Sequence, residues 1–375
     1  MTADRAPHRM AGPLTLLNER AMSLHAAAVL RVGYGLLYLG FLLREFPYRD
    51  EIWGPSSPWT PALARELLGQ EQWFSFLTLS DSHAYFDACY ALAVLTSTLF
   101  ALGWHTRAVS VLFALVVTSF HGRSIFITDG GDNLIVLMAV YLVFTACGRR
   151  WSLDARRARI RTAATGVGPR PAGSAAESYE GQVALVRDRL STLLHNCGMC
   201  VIAAQVCLLY GAAGLYKVQG SLWRDGTALH YVLHLDLFRP WPGLSELADD
   251  HALFISVIGY LTVLVQVAVP FTAFSRLKYV VLGVLVGLHI GIAVLLGLPV
   301  FSGAMLIADA VFLPDRLLLS LGRIGRAACR WRPARRRPAP ATATGARPGT
   351  PLPLPLPLPL PEQTSPAGLD TRSPG

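Results

Sequence analysis

Apolar residues along this 375-residue chain do not alternate with polar ones; they come in long runs separated by short charged or Gly- and Pro-containing turns. A helix of about twenty apolar residues matches the ~30 Å hydrocarbon core of a bilayer. Eight segments meet or approach that length: 23–43, 84–103, 107–122, 132–148, 192–214, 252–274, 278–297 and 299–318. The third, fourth and eighth are short or interrupted, and Gly297 with Pro299 leaves hardly any loop between the last two. The pattern predicts an all-α fold, a polytopic integral membrane bundle of about eight transmembrane helices.

The segments outside these runs divide the chain. Residues 1–22 form a polar N-terminal stretch, 23–320 the transmembrane domain, and 321–375 a tail. The first apolar run begins after some twenty mostly polar residues and is long enough to span, so it reads as an uncleaved anchor rather than a signal peptide. Between the fourth and fifth runs, residues 149–190 form a loop whose part 162–178 is rich in Gly, Ala, Ser and Pro, the composition of a flexible linker between two four-helix halves. The tail passes through an Arg and Pro cluster into a Pro-Leu alternation over 351–361, which has no face to bury and is expected to be disordered or polyproline II.

Composition narrows the class. With 53% hydrophobic and 15% charged residues and a mean hydropathy of +0.42, the chain is too apolar for an ordinary soluble enzyme. The net charge of +9 does not imply nucleic acid, because the arginines cluster at the ends of apolar runs and in the tail. Their placement follows the rule that Lys and Arg near span ends stay on the cytoplasmic side. Arg5, Arg9, Arg20, Arg107, Arg149, Arg150, Arg156, Arg157, Arg159, Arg161, Arg276, Lys278, Arg323, Arg326 and Arg330 all fall on one face if both termini are cytoplasmic. The other face receives residues 45–83, where six carboxylates oppose Arg49 and Arg65, together with the 123–131 turn and the 215–250 segment. Trp53, Trp59, Trp73, Trp223 and Trp241 lie there at interface depth. The expected location is the plasma membrane, with the lipid bilayer as main partner.

Few residues remain as carriers of chemistry. Five of the six cysteines lie in or beside apolar runs, where a thiol acts as a small hydrophobe, and Cys197 with Cys200 forms a lone C-x-x-C, redox-active, metal-binding or structural. Of 33 basic side chains only Lys217 and Lys278 are lysines. Lys278 stands beside Arg276 in a cytoplasmic turn, whereas Lys217 sits just past the fifth run on the outer side. An amine, unlike a guanidinium, can lose its proton, so Lys217 is either a base or a snorkelling interface residue. Arg123 precedes Asp129-Gly130-Gly131-Asp132-Asn133, where the carboxylates are either ligands, partners of Arg123, or a helix cap. His289 lies midway along the seventh run, as a functional group or as an imidazole bonded to a neighbouring helix. Arg31 in the first run requires a carboxylate or carbonyl partner inside the bundle. No P-loop, GxSxG, HExxH or dinucleotide-binding pattern stands in a supporting context.

Gly214-Leu215-Tyr216-Lys217-Val218, followed by Trp223-Arg224-Asp225-Gly226-Thr227-Ala228-Leu229, resembles the HTTM family, the membrane domain shared with vitamin K-dependent gamma-carboxylases. The resemblance covers roughly residues 20–320 and extends to the Gly-Gly-Asp-Asn turn, to Trp151-Ser152-Leu153-Asp154, and to His289 twelve residues before Phe301. It implies that Lys217 is the base that deprotonates a reduced quinone, vitamin K hydroquinone or menaquinol. In the carboxylases, oxidation of the quinol drives removal of a glutamate γ-proton before carbon dioxide adds. The resemblance further implies an outward-facing site and places His289 on a histidine of the family's membrane core, a second catalytic candidate; Trp223, Arg123, Asp129 and Asp132 are the expected substrate-binding residues. The enzyme class implied is a quinol-dependent lyase or oxidoreductase. Two differences separate this chain from the carboxylases: they carry Asn-His where Gly131-Asp132 stands here, and a large lumenal C-terminal domain. Bacterial members also look like the membrane protein accompanying a sporulation-delaying peptide toxin. A second expectation is therefore a non-redox partner in the maturation or export of a secreted peptide or protein.

Overall fold

A computed structural model describes residues 20–71, 73–165 and 179–320. The Pro-Leu tail and most of the predicted linker lie outside the described residues. Among the described residues there is helix and turn and no strand. The principal helices are α1 (Leu24–Glu45), α2 (Pro61–Gln70), α3 (His83–Leu102), α4 (Thr106–Arg123), α5 (Gly130–Val143) and α6 (Leu153–Thr165), followed by α7 (Tyr179–Gln219), α8 (Ala228–Leu233), α9 (Pro242–Asp249), α10 (Ala252–Thr272), α11 (Lys278–Leu295) and α12 (Pro299–Asp309).

Each of the eight apolar runs contains a helix, and five of these are long and apolar enough to cross a membrane: α1, α3, α7, α10 and α11. α4 is interrupted by polar residues, while α5 and α12 have 14 and 11 residues, about 21 and 16 Å of rise. α5 and α12 pack against each other and against α1. A helix enclosed by protein need not match the hydrocarbon thickness. The outer surfaces of α10 and α11 tell the opposite story. α10 buries only one stripe (Ile255, Gly259, Thr262, Val265, Val269, Thr272) and leaves Leu264 68% and Phe271 81% exposed. Such an all-round apolar helix with one packed stripe needs an apolar solvent outside, and a lipid bilayer supplies it.

The linker expectation is corrected in part. Residues 153–165 are helical, and α7 starts at Tyr179, well before the predicted span. The 41 residues of α7 measure about 60 Å, twice what the hydrocarbon needs. Hydropathy marks only the apolar part of such a helix; its first turns carry Arg187, Asp188 and Arg189.

The predicted halves interlock rather than forming separate bundles: α12 packs into the groove between α1 and α5, while α7 lies along α10 and also meets α5. One end of the bundle gathers the Arg-rich turns. There Met22 N donates to Asn196 Oδ1 (2.9 Å), His25 N to Asp315 Oδ1 (3.2 Å), and Arg149 pairs with Asp188 (2.7 Å). The other end gathers the acidic and aromatic turns, where Trp53 Nε1 donates to Ser124 Oγ (3.0 Å) and Arg49 pairs with Asp87 (3.2 Å).

Candidate functional site

α7 supplies the framework of the site. Its buried stripe runs through Thr192, Asn196, Met199, Ile202, Val206, Tyr210 and Gly214, steps of three and four that keep one helical face turned inward, with His195 buried beside it. Lys217 is the next position in that series, so its side chain leaves the helix on the bundle side and is half-buried. Gly214 allows the approach of α10 at this level: a Cβ there would stand 2.8 Å from the Val267 amide nitrogen.

The chain turns immediately after Lys217. Gly220 N–H donates to the Lys217 carbonyl (3.0 Å), and a Cβ at Gly220 would sit 3.1 Å from Trp223 Cδ1. The turn brings the Trp223 ring to Lys217, with Nζ 5.3 Å from the ring centroid, within cation–π range. The remaining polar contact of Nζ is long, 3.4 Å to the Ala213 carbonyl of its own helix. No carboxylate pairs with Lys217 among the described residues, whereas Lys278, the first residue of α11, lies over the ring of its neighbour Tyr279. The segment after Trp223 is tied to α10: Tyr260 OH donates to the Arg224 carbonyl (2.7 Å) and Ser256 Oγ to that of Gly226 (3.3 Å). Gly226 has φ +73° and faces both hydroxyls, so a side chain there would be strained and crowded. Beside the amine, Leu215, Tyr216, Val218 and Leu222 are exposed. This flank suits a lipid-soluble ligand better than a hydrophilic one.

Two turns earlier on the same face, about 10 Å along the helix axis, Tyr210 is the hub of a buried polar chain. Its hydroxyl donates to Asp309 Oδ2 of α12 (3.1 Å) and lies 2.9 Å from His289 Nε2 of α11. One hydroxyl proton serves one acceptor, so with the proton on the Asp309 side the imidazole must donate, giving the order His289 to Tyr210 to Asp309. His289 Nδ1 and Asp309 Oδ1 have no protein partner. Of these three only His289 is singled out by the sequence. Asp309 carries the same signal, an acid in an apolar run; Tyr210 carries none, since tyrosines are common in such helices.

The remaining predicted residues stand elsewhere. Asp129 caps α5, accepting from Gly131 N (2.6 Å) and Asp132 N (3.1 Å), while Asp132 accepts from Asp129 N (2.9 Å): a reciprocal capping box. Arg123 is fully buried and does not pair with either carboxylate; its Nη2 donates to the Gly54 carbonyl (3.0 Å). The hydrogen bonds and ring contacts of Lys217 and His289 involve none of these three. Asp129 and Asp132 do line a cavity of about 240 Å³, walled by Tyr38, Phe41, Trp53, Phe120 and Val300 with Arg44, Glu45 and His121 at its polar side. Phe301 packs both against the start of α5 and against His289 of the polar chain. A Cβ on Gly131 would meet Phe301 Cα at 2.6 Å, and the Phe301 ring lies 5.9 Å from that of His289. A side chain at Gly131 would press on the Phe301 backbone, which cannot rotate away.

Trp151-Ser152-Leu153-Asp154 has a structural role. The Trp151 carbonyl accepts from Arg31 (2.6 Å), and Ser152 Oγ caps α6 through Ala155 N (2.9 Å). Asp154 holds the start of α4, accepting from His105 N (3.0 Å), Thr106 N (2.7 Å) and Thr106 Oγ1 (2.8 Å). Partial burial alone would raise the Asp154 pKa, but these three donors together outweigh it and hold the carboxyl below its ordinary value. The free thiols of Cys197 and Cys200 are both exposed on α7, on the side away from the buried stripe. Comparison of the chain with family models, with curated proteins and with solved structures finds no match.

Proposed function

We propose that this chain is a bilayer-embedded protein of the HTTM type in which Lys217 acts as a base on a reduced, lipid-soluble quinone at the outer boundary of the membrane. The observation that carries the reading is the position of Lys217. It continues the inward face of α7, lacks a carboxylate, and is framed by Trp223 and an apolar flank. A snorkelling anchor would instead leave from the lipid-facing side of its helix and reach for water.

In this reading all eight apolar helices lie in the bilayer, with α5 and α12 as enclosed short members. Both termini are cytoplasmic and the membrane is the plasma membrane of a bacterial cell. The neutral Lys217 amine takes the proton of a quinol hydroxyl, and the electron pair of that O–H bond stays on the oxygen. A quinol such as vitamin K hydroquinone or menaquinol supplies reducing power when bound. Trp223 holds the amine, and the Tyr210 chain two turns away orders α7, α11 and α12 around it. The competing reading, a non-redox partner for a secreted peptide, draws on the exposed Tyr231, Leu235, Leu237 and Trp241 between α7 and α10.

The test uses the purified chain in nanodiscs. We expect a quinone to co-purify and, with dissolved dioxygen as the electron acceptor, menaquinol to be oxidised by the wild type. Lys217→Arg keeps the charge but cannot exchange a proton at accessible pH, so it should insert normally and lose turnover by about 100-fold or more. Equal turnover in wild type, Lys217→Arg and Lys217→Ala at matched protein levels would leave Lys217 an anchor. Peptide binding with no effect of any quinol would favour the competing reading.

A further inference from the structure

Between α7 and α10 the chain brings three metal-ligating side chains together that the proposed quinol site does not use. His230 lies in α8 and His234 just after it, four residues on, so both rings project from one face. Asp249, the last residue of α9, reaches the same point: its Oδ1 and Oδ2 lie 2.7 and 2.9 Å from His230 Nδ1, and Oδ2 lies 3.8 Å from His234 Nε2. One ligand atom from each residue falls within 4.8 Å of both others.

Two details separate this cluster from a chance surface pair. His234 Nδ1 lies 2.8 Å from the His230 carbonyl, an arrangement in which Nδ1–H donates to the backbone. That bond fixes the tautomer and leaves the Nε2 lone pair aimed at Asp249, as in metal-binding imidazoles whose second nitrogen is tethered. The 3.8 Å gap between His234 Nε2 and Asp249 Oδ2 is too long for a hydrogen bond. It is close to the ~3.3 Å that separates two ligands placed about 2.0 Å from one tetrahedral ion. An ion would require only that His230 and Asp249 part from hydrogen-bond contact by about half an ångström.

We propose that His230, His234 and Asp249 form a site for a divalent cation of the zinc class. Two imidazoles and one carboxylate favour zinc over magnesium or calcium, which prefer all-oxygen ligands. Both histidines are exposed, so the fourth tetrahedral position opens to solvent and takes water or a substrate oxygen, the arrangement of a catalytic rather than a closed structural site. The site also fastens α8 to α9. It stands independently of the role of Lys217.

The test is titration of the detergent-purified full chain, carrying a tag without histidine, with zinc chloride against a chromophoric chelator. The chain is first stripped with EDTA and its thiols alkylated so that Cys197 and Cys200 do not compete. One zinc per chain should bind, and His234→Ala and Asp249→Asn should each weaken binding by at least about tenfold. His251→Ala, a nearby exposed histidine outside the cluster, should leave it unchanged. Cobalt in the wild type should give the intense visible absorption of a tetrahedral N and O site, a readout that does not depend on any variant folding. Absence of zinc binding, equal affinity in the two ligand variants, or an octahedral cobalt spectrum would overturn the site and leave a hydrogen-bonded His230–Asp249 pair.

Discussion

Arg31 shows how a charge is kept inside this bundle. It is fully buried, and in place of a carboxylate it meets backbone oxygens: Nη1 donates to the carbonyls of Phe100 (2.8 Å) and Ala101 (2.7 Å), Nη2 to that of Trp151. Phe100 and Ala101 stand in the last turn of α3, where carbonyls run short of helical donors, Phe100 having only the long bond from Gly103 N–H (3.1 Å), and the helix dipole is negative. Arg31→Leu would leave the Ala101 and Trp151 carbonyls without their donor, while Phe100 keeps the Gly103 N–H (3.1 Å), so the variant should melt earlier in detergent and lose about 2 kcal/mol or more of stability. Arg31→Lys, with one rotatable ammonium in place of a planar fork, should fall between. A midpoint unchanged in both variants would refute this account of the residue. The sequence announces that Arg31 needs a partner but cannot name one, because backbone carbonyls 69 and 70 residues away carry no side-chain signature. Tyr210→Phe tests the buried chain in the same way. It strips His289 and Asp309 of their shared partner and should destabilise by about 1–3 kcal/mol, measurable in the same melting experiment.

Helices are the level at which the sequence is most legible, since long apolar runs leave the backbone no other way to satisfy its hydrogen bonds in lipid. What hydropathy misses is anything polar that is nevertheless helical, such as the first turns of α7 and all of α6, and how helix ends are closed from a distance. Asp154 is the clearest case, capping α4 from 48 residues away. Asp154→Ala should loosen the start of α4 and cost about 1 kcal/mol. The pH dependence follows from the depressed pKa. The stabilisation is complete above the unfolded value of about 3.9 and is lost as pH falls through the lower folded value. Wild type should therefore lose stability relative to Asp154→Ala only below about pH 4, and parallel pH–melting curves would contradict the assignment. Gly214 makes a steric prediction. A leucine there would press on the backbone of Val267 and Gln266, which cannot rotate away, and should part α7 from α10 at a cost of about 1–3 kcal/mol. Because Lys217 lies one turn further on, Gly214→Leu should also disturb the Lys217–Trp223 contact, readable as a change in tryptophan emission.

For the whole molecule, charge counting and folded contacts agree on which turns share an end. Arg107 and Arg149 both reach the first charged turns of α7, while the acidic and aromatic turns meet at the other end around Trp53. The interlocking of α12 with α1 and α5 is beyond such counting, because apolar faces in a membrane are chosen by shape rather than by hydrophobicity. For the same reason the sequence selects Lys217, Trp223 and His289 but not Tyr210 and Asp309, which hold His289. The account centres on Lys217 standing at the outer end of a helix that crosses the bilayer, and cysteines at the two ends of α7 test it most directly. With native thiols blocked or replaced, an impermeant maleimide applied to intact cells should label Ser221→Cys, just past Lys217, and Ser56→Cys. It should reach Ser174→Cys, before α7, only after the membrane is opened. Labelling of Ser174→Cys with Ser221→Cys protected would invert the orientation, and equal labelling of both in intact cells would mean that α7 does not cross the membrane.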